Sequence, residues 1–236
     1  MIGRGHFATV YTCTDKITGD QYAVKVFERF SGDRMKIKRK HMEFVRYEVK
    51  LMSTLQHPNI TCVRDMIAED EHIFIVMDLA KGGELFNRIV HRTRFTEPEI
   101  RKLFSQLFSA LKYLHDQNIV HRDVKPENIF CMDDGLSITL GDFGLATYVS
   151  PVVGYCDKLC GTPSYVAPEI LEATEFRRYS FPVDVWSAGV LLYICLCGFT
   201  PFSNELYTPE NPYTLAQQIK MSQYTYPSPY WDDVGD

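Results

Sequence analysis

A chain of 236 residues, 45% hydrophobic and 23% charged, holds enough apolar material for one large or two smaller domains. Its formal net charge of −5 argues against a nucleic-acid binder, which usually carries a basic excess. Seven cysteines, odd in number and scattered, argue against a disulfide framework and read as reduced thiols of an intracellular protein, nuclear or cytoplasmic.

The opening MIGRGHFATV has neither the charged nor the apolar region of a secretory leader. Strand signals dominate up to residue 80. HFATVYTCT and QYAVKVF are rich in β-branched and aromatic side chains and flank the turn-forming DKITGD; HIFIVMDLA reads as a further, buried strand. Between them a helix is expected from about His41 to Leu55, stopped by HPN. After KGGE, the stretch TEPE has the form of a capping box, Thr96 opening a helix and Glu99 reaching back to it. Ile100, Leu103, Phe104, Leu107, Leu111 and Leu114 then recur at helical spacing and should face a core. The most apolar run, Val183–Phe199, is short for a membrane span and carries Asp184 near its start. It reads as a buried helix, with Cys195 and Cys197 as small core residues. A strand-rich lobe, residues 1–80, is thus followed by a larger helical lobe, residues 81–236, joined near Asp78–Gly83. A cleft between two such lobes is a natural ligand site.

Gly3 and Gly5 flank one residue at a strand end, where missing side chains let backbone amides approach a phosphate. Ala8 stands where a third glycine would complete G-x-G-x-x-G, and strand follows instead of helix; this favours a flap over a ligand, not a dinucleotide fold. Lys25 lies on an otherwise apolar strand and needs anionic partners. Phosphate oxygens would serve, and so would Glu48, inward-facing by its spacing from Val45 and Met52. In HRDVKPEN, His121–Asn128, charge and Pro126 exclude a core position and a helix interior. Asp123 could accept a proton from an attacking hydroxyl, Lys125 could neutralise a transferred phosphoryl group, and Asn128 offers an oxygen to a metal. LGDFG places Asp142 after the short strand SITL; a carboxylate and an amide oxygen converging on one point suit Mg²⁺. Cys156 and Cys160 lack a histidine cluster that would suggest zinc, which leaves plain thiols or a regulatory disulfide. The basic run Asp33–His41 reads as a solvated connector, with a targeting or docking patch as the alternative.

Taken in order, Gly3–Gly5, Lys25 in AVK, Glu48, HRDVKPEN, DFG at Asp142–Gly144, APE at Ala167–Glu169 and DVWSAG at Asp184–Gly189 resemble the signature set of eukaryotic protein kinases. The resemblance covers essentially the whole chain. It implies an α+β, bilobal kinase-like fold, with ATP and Mg²⁺ as ligands. ATP would lie among Ile2, Gly3, Arg4, Gly5, Val10 and Ala23 on one side and Phe130 on the other, with Met77 as gatekeeper and backbone groups of Asp78 and Ala80 on the adenine. Lys25 would bind the α- and β-phosphates and pair with Glu48. Asp142 and Asn128 would hold the metal, Asp123 would orient the substrate hydroxyl, and Lys125 would steady the γ-phosphate.

Lys125, two places after Asp123, and Thr162 in GTPSY resemble the serine/threonine pattern, not the tyrosine one. Glu84 and Glu127, at the rim of the nucleotide site, match positions that meet arginines upstream of the target hydroxyl, so basic substrates are expected. Arg122 would dock a phosphate on the activation segment, about residues 142–169, whose hydroxyls are Thr147, Ser150, Tyr155 and Thr162. An upstream kinase or trans-autophosphorylation would add it, with Thr162 held back for a contact to the catalytic loop. GGELFNRIV, LKYLHDQNIVHRDVKPENIF and CGTPSYVAPEIL are similar to the calmodulin-dependent kinase group. LEATEFRRYSFPVDVWS and YPSPYWDDVGD resemble its FHA-linked DNA-damage checkpoint kinases. By the same comparison the helical lobe reads as incomplete, and Glu169 is expected to lack an arginine partner. A pseudokinase scaffold or an inactive truncated fragment is the alternative function. GTPSYVAPE resembles a peptide-docking segment and counts against a small-molecule phosphotransferase; neither nucleic acid nor a membrane is an expected partner.

Overall fold

The computed structural model describes residues 1–4, 8–28, 35–69, 71–92, 95–133, 135–209, 212–232 and 234–235, and of residues 35–41 the backbone alone. Gly5 and the side chains of the basic run 33–41 lie outside the described residues.

Five strands form one antiparallel sheet: β1 (Gly3–Arg4), β2 (Thr9–Thr14), β3 (Gln21–Glu28), β4 (Val63–Ala68) and β5 (His72–Asp78), in the order β1-β2-β3-β5-β4. The register sets Lys25 opposite Val10 on one side and Ile75 on the other, and Ala23 opposite Met77. A helix, α1 (Met35–Met52), packs on this sheet. Its Val45 and Val49 join Phe27, Ile73 and Ile75 in a small separate core. The helix begins at Met35, not His41, and ends before Leu55. Lysine and arginine are good helix formers, so the basic run extends the helix without any apolar periodicity to announce it. β4 is a strand that pattern reading did not find. It is an edge strand, exposed along most of its length, and Arg64 and Asp65 break the apolar alternation.

The second half is mainly helical: α2 (Leu85–Arg92), α3 (Glu97–Asp116), α4 (Pro182–Cys197) and α5 (Leu215–Lys220). Two short ladders accompany them, β6 (Ile119–Val120) with β9 (Thr147–Tyr148), and β7 (Ile129–Cys131) with β8 (Ile138–Leu140). All six apolar residues expected on the inner face of α3 are buried. The Glu99 carboxylate accepts from the Thr96 N–H at 2.9 Å and from its hydroxyl at 3.0 Å, closing the first turn.

α4 starts with a proline and stops at Gly198, whose φ of +90° an L side chain would resist. It is apolar nearly all round because protein covers it nearly all round, Cys195 and Cys197 included. Among the described residues no helix is long and apolar enough to cross a membrane. Aromatic rings line this helix. Trp186 stacks on Phe202 at 5.9 Å between centroids, and Trp231 packs on Tyr193 at 4.8 Å and Tyr226 at 4.6 Å. The architecture is thus the expected α+β arrangement, a five-stranded sheet with one helix followed by a helical body.

Candidate active site

Three elements distant in sequence meet at Lys25. Its Nζ lies 2.8 Å from Glu48 Oε1 on α1 and 3.3 Å from Asp142 Oδ1, just beyond β8. β3 presents the lysine on a strand whose neighbours are apolar, so the ammonium is largely covered. Burial alone would lower its pKa; the charges of Glu48 and Asp142 outweigh that and raise it. For Asp142, burial pushes up, but the Lys25 ammonium and its hydrogen bond win, and the pKa falls. Lys25 and Asp142 therefore stay charged at neutral pH.

The loop from His121 to Asn128 is held from below. Asp184, fully buried at the start of α4, accepts from the His121 N–H at 2.9 Å and the Arg122 N–H at 2.8 Å. His115 Nε2 on α3 lies 2.8 Å from the same carboxylate. These bonds hold Arg122 in the left-handed region at φ +69°; Asp142 is held there too, at φ +52°. The Asp123 N–H donates to His121 Nδ1 at 3.3 Å, which assigns the ring proton to Nε2 and its bond to the Gly141 carbonyl at 3.1 Å. Phe143 sets its ring edge-on to His121, with centroids 5.0 Å apart, and is fully buried.

Above this base Asp123 gathers donors. Asn128 Nδ2 donates to its carbonyl at 2.8 Å and to Oδ2 at 3.0 Å. Lys125 Nζ lies 2.9 Å from Oδ2. Thr162 donates to Oδ1 from its backbone N–H at 3.0 Å and its hydroxyl at 2.7 Å, and that hydroxyl accepts from Lys125 at 2.8 Å. Thr162 thus sits on the catalytic loop. Gly161 lets it come close: a Cβ there would stand 2.9 Å from the Arg122 carbonyl, at a φ of +105°. With its amide nitrogen committed, Asn128 keeps Oδ1 clear of any hydrogen bond among the described residues, and the Asp142 side chain is half exposed. An amide oxygen and a carboxylate are the hard donors Mg²⁺ prefers, so these two residues fit it.

The other expected positions fall around this centre. Arg4 pairs with Thr9 and Gly3 with Val10, while the Ile2 N–H donates to the Val10 carbonyl at 2.8 Å. Ala23 is buried and Met77 half-buried beside it. The Asp78 N–H is committed to the Cys62 carbonyl at 3.2 Å, and its carboxylate to Arg64 at 2.6 and 3.1 Å. The Ala80 carbonyl accepts from Gly83 at 3.3 Å. Glu84 bridges to Phe130, and burial, then the Glu127 charge, raise its pKa. One Glu127 oxygen is buried with no hydrogen-bond partner among the described residues. Glu169 has neither hydrogen bond nor ion pair among them; the nearby buried Arg177 donates instead to the carbonyls of Ile170, Asp157 and Glu172.

Pattern reading singled out no role for Asp184, His121, Tyr179 or the glycine at position 141. A Cβ at Gly141 would stand 2.7 Å from Thr61 Oγ1 and 2.8 Å from the Phe130 ring. The glycine is a steric requirement of this fold, and only the partner elements reveal it.

Relatives were found with this geometry in view. The chain is 40% identical to the DNA damage response protein kinase DUN1 of Saccharomyces cerevisiae, over its whole length and 48% of that protein. It is 42% identical to the serine/threonine-protein kinase DCLK1 of Rattus norvegicus, over its whole length and 52% of the relative, and 41% identical to human DCLK2, over 29% of that relative. The chain therefore spans about half or less of the length of these curated relatives. They accord with the resemblance to the calmodulin-dependent kinase group. Residues 1–234 match the protein kinase domain, and with the paired Lys25 and Glu48, the Asp123 loop and Asp142 in place, the chain belongs to the protein kinase domain family.

Proposed function

We propose that this chain catalyses transfer of the γ-phosphoryl group of ATP to serine or threonine hydroxyls of protein substrates. The observation that carries the reading is the bonded set Asp123, Lys125 and Thr162, facing a separate set of Lys25, Glu48 and Asp142. The first has a proton acceptor beside a cation; the second has a cation and a carboxylate at hand for phosphates and metal. Residues 1–80 and 81–236 act as the two lobes. Val10, Ala23, Met77 and Phe130 enclose the adenine, the glycine flap from Ile2 to Gly5 covers the phosphates, and Lys25 binds the α- and β-phosphates.

Asp123 would receive the substrate hydroxyl at the carboxylate that Thr162 now occupies, orienting it and accepting its proton. Lys125 would balance charge on the moving phosphoryl group, and most of the acceleration would come from positioning and electrostatics. Asn128 and Asp142 would hold Mg²⁺, which when bound neutralises charge on the phosphates.

Substrates with basic residues before the target follow from Glu84 and Glu127, two carboxylates close enough to disturb one another, one with an unpartnered buried oxygen. An arginine fork would satisfy both. The name of the yeast relative suggests checkpoint or stress signalling, in the nucleus or cytoplasm, as the setting. Activation by an upstream kinase or by trans-autophosphorylation would have to use the segment's hydroxyls; Ser150 and Tyr155 are exposed, while Thr147 and Thr162 are hydrogen-bonded.

The test is a peptide array with ATP and Mg²⁺, with Asp123→Asn as control. Phosphoryl transfer to Ser/Thr peptides, enhanced by upstream Arg and lost in the variant, supports the reading. Nucleotide binding without transfer would replace it with a scaffold role, and transfer indifferent to basic residues would remove the substrate assignment alone.

A further inference from the structure

The catalytic loop carries a half-buried cation that the transfer chemistry does not use. Arg122 aims its guanidinium away from Asp123, into the activation segment. Its Nε donates to the Leu145 carbonyl at 2.7 Å and a terminal nitrogen donates to the Tyr179 hydroxyl at 3.1 Å. Tyr179 is 3% exposed; its hydroxyl donates to the Lys158 carbonyl at 2.6 Å and lies 3.6 Å from Cys160 Sγ. Its backbone exchanges two hydrogen bonds with Cys156, at 2.7 and 3.1 Å. One phenol therefore joins the catalytic loop to the middle of the segment and to the stretch that leads into α4.

A phosphoryl group docked on Arg122 would do the same joining, and the surroundings do not suit one. Within electrostatic reach of the guanidinium stand Cys160, Tyr179 and Cys156, and burial pushes the Cys156 thiol and the Tyr179 phenol up, away from ionisation. A dianion there would compete for a guanidinium that the Leu145 carbonyl and the Tyr179 hydroxyl already share. Four of the segment's hydroxyl side chains have neighbours of their own. Thr147 Oγ1 is 3.3 Å from the Tyr47 hydroxyl, Thr162 is bound to Asp123, Ser150 accepts from Val152 and Val153, and the Tyr155 ring lies under Arg178.

We propose that Tyr179 is a positioning residue that takes the place of an activation-segment phosphate: its hydroxyl anchors the segment on Arg122, and the site assembles without modification. Asp123 feels this through Thr162, two residues past Cys160. The proposal rests on the kinase reading.

The test uses the full chain, dephosphorylated with a broad-specificity phosphatase and confirmed phosphate-free by mass spectrometry. Peptide phosphorylation should stay within about twofold of the untreated enzyme. Tyr179→Phe, which removes one oxygen, should lower kcat about tenfold with the KM for ATP within about twofold, the loss of a hydrogen bond to a charged group. Combined with Arg122→Ala it should add almost nothing, because both variants break the same link. A plain packing defect would instead add to Arg122→Ala and lower the melting temperature. A fall of tenfold or more on phosphatase treatment overturns the proposal, as does wild-type kcat in Tyr179→Phe. If Tyr179→Phe does not fold, the phosphatase result decides alone. If untreated enzyme transfers no phosphate and matches Asp123→Asn, the kinase reading itself has failed, and this proposal with it; transfer that disappears only with the phosphate sinks this proposal and leaves the kinase reading standing.

Discussion

The two cations at the centre of the site are supported very differently. Lys25 lies on β3 and is paired to one helix, α1, whose middle packs through Val45 and Val49 on a small core with Phe27, Ile73 and Ile75, and only its last turn, Leu51 and Met52, reaches the large core. Lys125 belongs to a loop whose backbone is bonded to a fully buried carboxylate, whose histidine meets a buried phenylalanine edge-on, and which sits on the large helical core. A helix on a thin core can shift at modest cost, whereas a loop bonded to buried Asp184 cannot move without leaving polar groups unsatisfied. The contrast teaches where adjustment can occur. The Asp123 loop is fixed in place, and the Lys25–Glu48 pair is the part that can be made or broken.

That contrast can be broken or sharpened. Asp123→Asn should have the largest effect on rate, a loss on the order of 10²–10⁴-fold in kcat for the missing base, with the melting temperature nearly unchanged. Asp184→Ala should instead act on stability. It strips acceptors from two buried N–H groups, each worth about 1–3 kcal/mol, so urea unfolding should show a loss of about 2–6 kcal/mol together with lost activity. Glu48→Gln probes the thin side: kcat/KM should fall about 10- to 100-fold through a misplaced Lys25, while stability changes by about 1 kcal/mol or less, since Lys25 keeps Asp142. Equal stability losses in Asp184→Ala and Glu48→Gln would erase the distinction between the two supports.

The smallest expected effect is one of specificity. Burial and the Glu127 charge raise the Glu84 pKa, so it protonates before an ordinary glutamate as pH falls. The preference for arginine-bearing over neutral peptides should therefore weaken as pH falls toward the carboxylate range, at a higher pH than for an ordinary glutamate, and Glu84→Gln should show a lower, pH-flat preference. The Lys25 cluster has the opposite sign. Asp142 is depressed, so its stabilising contribution is present above the ordinary carboxylate range and lost only as pH falls through its lower folded value. Lys25 is raised, so its contribution is present below the ordinary ammonium range and lost only as pH rises through its higher folded value. The Lys25 cluster should therefore contribute no change in melting temperature near neutral pH.

Much of this site could be read from residue order. The Lys25–Glu48 pair was expected from the kinase resemblance and is formed at 2.8 Å, and Asp142, expected beside Asn128, also lies 3.3 Å from Lys25. The helix periodicity after Thr96 located its inner face, missing only Ala110 among the residues it buries. What stayed hidden depends on partners far along the chain. Asp184 looks like an acidic residue at a helix start until the loop 62 and 63 positions earlier is placed over it. Gly141 looks incidental until Thr61 and Phe130 fill the space its side chain would need. β4 escapes because an exposed edge strand need not alternate, and the first turns of α1 escape because a basic run has no apolar stripe.

The two tryptophans of the chain, Trp186 and Trp231, both report on α4 and its aromatic collar; the sheet has none. Indole emission will therefore follow melting of the helical body and stay silent while β1–β5 loosen around Lys25. An optical unfolding curve that looks single-step can thus conceal the very region where the catalytic lysine is least secured, and an indole introduced on the sheet, in a Tyr22→Trp variant, would make that loosening visible.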